Sequence, residues 1–158
     1  MNPIQQIGPG ADLTRADLIG ADLTGVDLTD ANLNRADLTG TNLANVNLNS
    51  AKLTYAKLHR ANLTGANLVG ADLTGANLMG ANLTGANLSG ANLIVAILTG
   101  ANLTGVNLSS ANLMVAILTG AVLTDAILRA ANLSGVMYTE ATLWPESFDP
   151  VKAGALKL

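Results

Sequence analysis

The sequence predicts an all-β chain wound as a square solenoid, and three observations predict it. From Ala11 to Pro145 the chain divides into fives, ADLTR, ADLIG, ADLTG, VDLTD and onward to ATLWP, without an insertion or deletion. Leucine holds the third position in 26 of these 27 pentads and alanine the first in 22, and Tyr138 is the one departure from leucine. ANLIVAILTG (91–100) returns as ANLMVAILTG (111–120), displaced by 20 residues, or four pentads.

A period of five suits neither regular element. On an α-helix it advances about 140° per repeat, so the leucines would spiral over every face. On one continuous strand, successive leucines would alternate sides. Within a pentad, however, Ala and Leu are two residues apart and share a side, and the polar residue between them faces out. A turn after each leucine lets every pentad present Ala and Leu to one interior. The turn is supplied by Gly at the fifth position in 13 pentads, where positive φ carries no penalty. Asn or Asp fills the second position 19 times and can bond local backbone or the neighbouring coil. Coils stacked about 4.8 Å apart are then joined by parallel ladders.

The ends of such a stack need covers, because a bare terminal coil is an unpaired edge. Residues 1–10, with Pro3 and Pro9, are expected to form the N-terminal cap. Residues 11–143 form the solenoid and 144–158 the C-terminal cap. There Trp144, Phe148 and Val151 are placed over the last leucines, and Asp149-Pro150 opens a short helix ending near Gly154.

This A(D/N)LXX pattern resembles the pentapeptide repeat family over roughly residues 11–143. The resemblance implies four pentads per coil, about 6.5 coils, and a right-handed quadrilateral parallel β-helix. It also implies a non-enzymatic structural or protein-interaction role. Some members mimic a DNA duplex and regulate DNA gyrase, which gives quinolone resistance. This chain departs from those members in its modest charge, a basic third coil and the lack of phenylalanine in the leucine ladder.

Composition removes several functions. Net charge is −3, too small to imply direct nucleic-acid binding, and it is uneven: −4 over residues 1–50, +2 over 51–100 and −1 thereafter. Without cysteine there is no disulfide, thiolate nucleophile or Cys-based metal site. His59 is the single histidine and points outward, so no His pair exists for a metal or a proton relay. Asp12, Asp17, Asp22, Asp27 and Asp37 occupy the position Asn holds elsewhere and read as outward polar groups of the repeat. A core filled by leucine leaves no room for a substrate. No catalytic residue, cofactor, metal or small-molecule substrate is therefore expected. The apolar runs of six residues are too short to span a bilayer, and MNPIQQIGPG lacks the form of a signal peptide, so a cytoplasmic protein is expected, short of an export signal already removed.

Function is sought instead where outward positions break the repeat. Following the corner after Leu13 by twenties gives Arg15/Asp17, Arg35/Asp37, Tyr55/Lys57, Gly75/Asn77, Val95/Ile97, Val115/Ile117 and Gly135/Met137. Lys57 is expected beside Asp37. Lys52, Tyr55, Lys57, His59 and Arg60 form a basic cluster in the third coil, read as a solvated face or an anion site. Lower down, Ile94, Val95, Ile97, Met114, Val115, Ile117 and Met137 form an apolar patch, which Val122 and Ile127 extend into a partial collar. The collar is either covered by the chain's own tail or is a surface for self-association or a protein partner.

Overall fold

The computed structural model describes residues 7–158. The part of the expected N-terminal cap at residues 1–6, with Pro3, lies outside them. The described chain is a quadrilateral β-helix. Each side is a three-residue extended segment, Ala–Asn–Leu in its commonest form, and its middle residue pairs in parallel with the residue 20 positions on. The first side runs outward through Asp12, Asn32, Lys52, Asp72, Asn92, Asn112 and Asn132. The second runs through Asp17, Asp37, Lys57, Asn77, Ile97, Ile117 and Met137. Asp22 begins the third side and Asp27 the fourth.

Two bonds per side tie each coil to the next. The Leu63 amide donates to the Asn82 carbonyl at 2.7 Å, and the Asn82 amide donates back to Ala61 at 3.0 Å. The leucines from Leu28 to Leu123 are at most 1% exposed, as are the alanines of the inner coils. Each buried leucine contributes about 1.5–3 kcal/mol gross.

The outward asparagines serve two purposes. Asn82 Oδ1 accepts from the Thr84 amide at 3.1 Å and the Thr84 hydroxyl at 2.6 Å, closing the corner. Asn62 Nδ2 reaches back one coil to Asn42 Oδ1 at 3.0 Å. In the first coils aspartate makes the same clasp, from Thr14, Thr24 and Thr29 hydroxyls at 2.6 Å. These threonine bonds hold the carboxyls of Asp12, Asp22 and Asp27 below the ordinary aspartate pKa of 3.8. A carboxyl that titrates lower when folded stabilises the fold at neutral pH, and the contribution is lost as pH falls below 3.8 through the folded value. Acidification from about pH 5 to about pH 2 should therefore lower the melting temperature. Amide protection, referred to the intrinsic exchange rate at each pH, should fall first in residues 12–37, and a flat profile would mean the clasps do not stabilise these coils.

The C-terminal end corrects the in-register reading. Val122 pairs with Leu143, a spacing of 21, so one extra residue is accommodated at the corner holding Glu140 and Ala141. Thr142, 6% exposed, takes the inward first position and Leu143 faces out at 52%. The slip has a physical reason. It lets the Thr142 hydroxyl donate to the Leu118 carbonyl at 2.8 Å, and it carries Trp144 inward against Tyr138, with ring centroids 5.5 Å apart in an edge arrangement. Phe148 stacks on Trp144 at 5.3 Å, so two of the three expected covering residues lie over the core. The third, Val151, does not: it is 63% exposed.

The expected short helix is a single turn. The Lys152 amide donates to Asp149 Oδ1 at 3.1 Å and the Ala155 amide to the Pro150 carbonyl at 2.9 Å, with Gly154 at φ +90 ending it. Too few residues separate the cap from the stop for a helix to propagate. Beyond it, β2 (Leu156–Lys157) pairs in parallel with β1 (Met137–Tyr138), adding an eighth level to the second side.

Candidate interaction surface

The second side and the corner before it carry the apolar break. Ile97 pairs with Ile117 and Ile117 with Met137, and Met137 pairs with Leu156, so four apolar residues stack in one outward ladder. On the adjoining corner Val95 is 42%, Met114 38% and Val115 44% exposed, while Ile94 is half-buried beside them. Val122 faces out on the third side and Ile127, 51% exposed, on the fourth, so the collar continues around the rod. Leu156 is the member sequence reasoning missed. Its signal lay in Gly154-Ala155-Leu156, which copies the Gly-Ala-outward order found where pentads join.

The tail does not cover this surface. Residues 144–154 pack over the end of the rod, and β2 extends the ladder on the second side while Val95, Met114 and Val115 remain exposed.

Two local costs converge on the strip. Every fifth-position residue from Gly10 to Gly135 is left-handed, and at this corner Val95 has φ +52 and Val115 φ +59. A β-branched side chain in that region is crowded against its own backbone and costs about 1–2 kcal/mol. Ile97, Ile117, Val122 and Ile127 also carry no oxygen, so the amides of Thr99, Thr119, Thr124 and Arg129 lose the acceptor that Asn supplies elsewhere. Each forgoes a bond worth about 0.5–1.5 kcal/mol, which water recovers in part.

The residues of the basic cluster are spread as a belt around the third coil. Lys52 stands on the first side, Tyr55 on the next corner, Lys57 on the second side, and His59 and Arg60 on the corner beyond. Lys57 pairs with Asp37 at 2.9 Å, as its 20-residue offset predicts. The Thr39 hydroxyl and then Lys57 hold the Asp37 carboxyl below the ordinary range. Lys52 offers no acceptor for the Thr54 amide, and Asn34 Oδ1 from the preceding coil takes it at 2.9 Å. Tyr55 lies flat across Gly75, where any Cβ would collide with the ring. The shallow groove above Tyr55 carries Arg15 and Arg35, but Asp12, Asp17 and Asp37 stand on the flanking sides, leaving little net charge to hold an anion. Among the described residues no group of three His, Cys, Asp or Glu could hold a metal ion. No helix there is long and apolar enough to cross a membrane.

Stacked, leucine-cored square coils of this kind define a class, and the chain belongs to the pentapeptide repeat family. The family model for pentapeptide repeats matches in eight copies between residues 9 and 143. Among solved structures the chain is similar to a pentapeptide repeat protein from Nostoc PCC 7120, at 35% identity over 80% of this chain and 84% of that one, with a TM-score of 0.40. It is also similar to HetL of the same cyanobacterium, a protein involved in heterocyst differentiation regulation. There identity is 37% over 81% of this chain and 72% of that one, with a TM-score of 0.37. QnrB1, a plasmid-mediated fluoroquinolone resistance protein, matches at 19% identity over 94% and 88%, with a TM-score of 0.52, and shares the fold alone. No curated protein sequence matches the chain.

Proposed function

We propose that the chain is a non-catalytic scaffold that makes a protein contact through the apolar strip of its C-terminal half. One observation carries this reading: exposed valines at positions 95 and 115 stand in left-handed backbone, where glycine would be free of strain. Exposed apolar patches rimmed by polar residues mark contacts, and here asparagine and threonine form the rim. The strip is also uncharged, unlike the acidic face a duplex-mimicking regulator of DNA gyrase requires, and that alternative is set aside.

The test is Val95→Lys combined with Val115→Lys. Lysine is unbranched at Cβ and tolerates the left-handed conformation better, so the variant should melt no lower than the wild type. It should nevertheless lose partner capture from a cell extract or self-association in sedimentation. Unchanged capture together with unchanged mass would sink the reading.

A further inference from the structure

We infer that the strip's partner is a second copy of this chain, docked antiparallel about a two-fold axis that crosses the second side between Ile117 and Met137. The inference rests on the contact reading above and adds the identity and geometry of the partner.

Charge selects a partner without charge. From Leu73 to Thr124 the chain carries no Asp, Glu, Lys, Arg or His, so these coils present only apolar, Asn, Ser, Thr and Gly groups. A charged partner surface would lose hydration there and gain no ion pair. The same strip on another copy meets the requirement. The charged groups nearest the ladder's end, Glu140 and Lys157, already pair with each other at 2.9 Å.

Charge also selects the direction. A two-fold axis along the rod would face Lys57, Asp37 and Asp17 of one copy toward the same residues of the other, and like charges so placed are unfavourable. An axis across the rod reverses one copy. The first three coils, with Arg15, Arg35, Lys52 and Lys57, then project past the partner's C-terminal end into solvent.

Shape fixes the register. The outward ladder has four levels, Ile97, Ile117, Met137 and Leu156, and a two-fold at its centre sets Ile97 against Leu156 and Ile117 against Met137. The same operation faces the corner to itself. Val115 comes opposite Gly135. Val95 comes opposite the level of Gly154, which stacks on Ser134 with 3.5 Å between an added Cβ and the Ser134 Cα. The two exposed valines thus meet the two levels of the corner that have the smallest side chains. A patch of a few hundred Å² is smaller than the roughly 800 Å² per partner of a standard stable interface, so the dimer is weak and concentration-dependent.

The absence of cysteine makes the geometry directly testable. Sedimentation of the wild type should show mass rising from 16.0 kDa toward twice that value between about 10 μM and about 1 mM, with little response to salt. Single variants Val115→Cys and Gly135→Cys, mixed and oxidised, should form the 115–135 cross-link at least several-fold faster than either same-site link. A wild type that stays monomeric throughout, or same-site links that dominate, overturns the inference. If the wild type is monomeric but Val95→Lys/Val115→Lys still loses a heterologous partner, the contact surface stands and only the second copy is refuted.

Discussion

Aspartate in place of Leu83 is expected to divide the rod into two separately melting halves. Leu83 is 0% exposed in the fourth coil, on the third side, with Leu63 above it and Leu103 below. Truncating such a leucine costs about 2–5 kcal/mol. A carboxylate left in its place, with no cation or donor to meet it, adds several kcal/mol more or must be protonated. The total rivals the whole stability of a typical domain, about 5–15 kcal/mol. In a solenoid each coil touches only its neighbours, so damage at one level breaks the coupling between the coils on either side. Calorimetry should replace one transition with two, and amide exchange should quicken most around residues 76–90. Leu13→Asp, at the rod's end and 4% exposed, should only fray the first coil. A single unshifted transition for Leu83→Asp would contradict the filled leucine column.

Much of this structure was legible because the 20-residue period converts sequence offset directly into spatial contact. Asp37 and Lys57 are far apart in the chain, yet the offset alone puts them side by side, and they pair at 2.9 Å. The apolar ladder was legible for the same reason. The shift at Glu140–Ala141 was not, because ATLWP keeps Ala and Leu where the pattern asks for them. What displaces them is a hydroxyl geometry at Thr142 and the fit of Trp144 on Tyr138, and neither is a property of a five-residue pattern. The helix expected after Asp149 shows a similar gap. Its cap and stop signals are both real, but they stand too close together to enclose more than one turn.

Strain was legible only in part. The fifth position reads as a turn, but a turn admits several backbone conformations, and the repeat alone does not say that Val95 and Val115 must be left-handed. Once φ is known, the two β-branched residues in left-handed backbone, Val95 and Val115, are seen to share one corner, while the non-glycine residues on the others, such as Asp30, Asn45 and Arg60, are unbranched at Cβ. The same coils that lose turn bonds at Thr99 and Thr119 expose Val95, Met114 and Val115. The two strained valines, the bonds lost at Thr99 and Thr119 and the exposed apolar surface therefore share one location, which a merely drifting repeat does not explain.

Thr142→Val is expected to be the most damaging isosteric change in the chain. The hydroxyl donates to the Leu118 carbonyl at 2.8 Å and accepts from the amides of Gly120 and Thr139, each at 3.2 Å. One donor and two acceptor sites are all a hydroxyl has, and all three are used. Valine keeps the shape and removes all three bonds, stranding the two amides, while the Leu118 carbonyl keeps the Ala121 amide at 3.0 Å. At about 1–3 kcal/mol for each group that is out of water, the loss should be roughly 3 kcal/mol. Thr41→Val removes one bond, to the Leu18 carbonyl at 2.7 Å, and should cost about a third as much. Thr142→Ser keeps the hydroxyl and should stay close to wild type. Without its hydroxyl only the packing of Trp144 on Tyr138 favours the extra residue at the Glu140–Ala141 corner, and Ala141 can take the inward position and draw Leu143 in after it. A Leu143→Cys reporter reads this change, because position 143 faces solvent in the wild-type register. The thiol should react freely in the otherwise wild-type chain and become protected when Thr142→Val is added. Equal stability losses for Thr41→Val and Thr142→Val would show that the hydroxyl does not set the register.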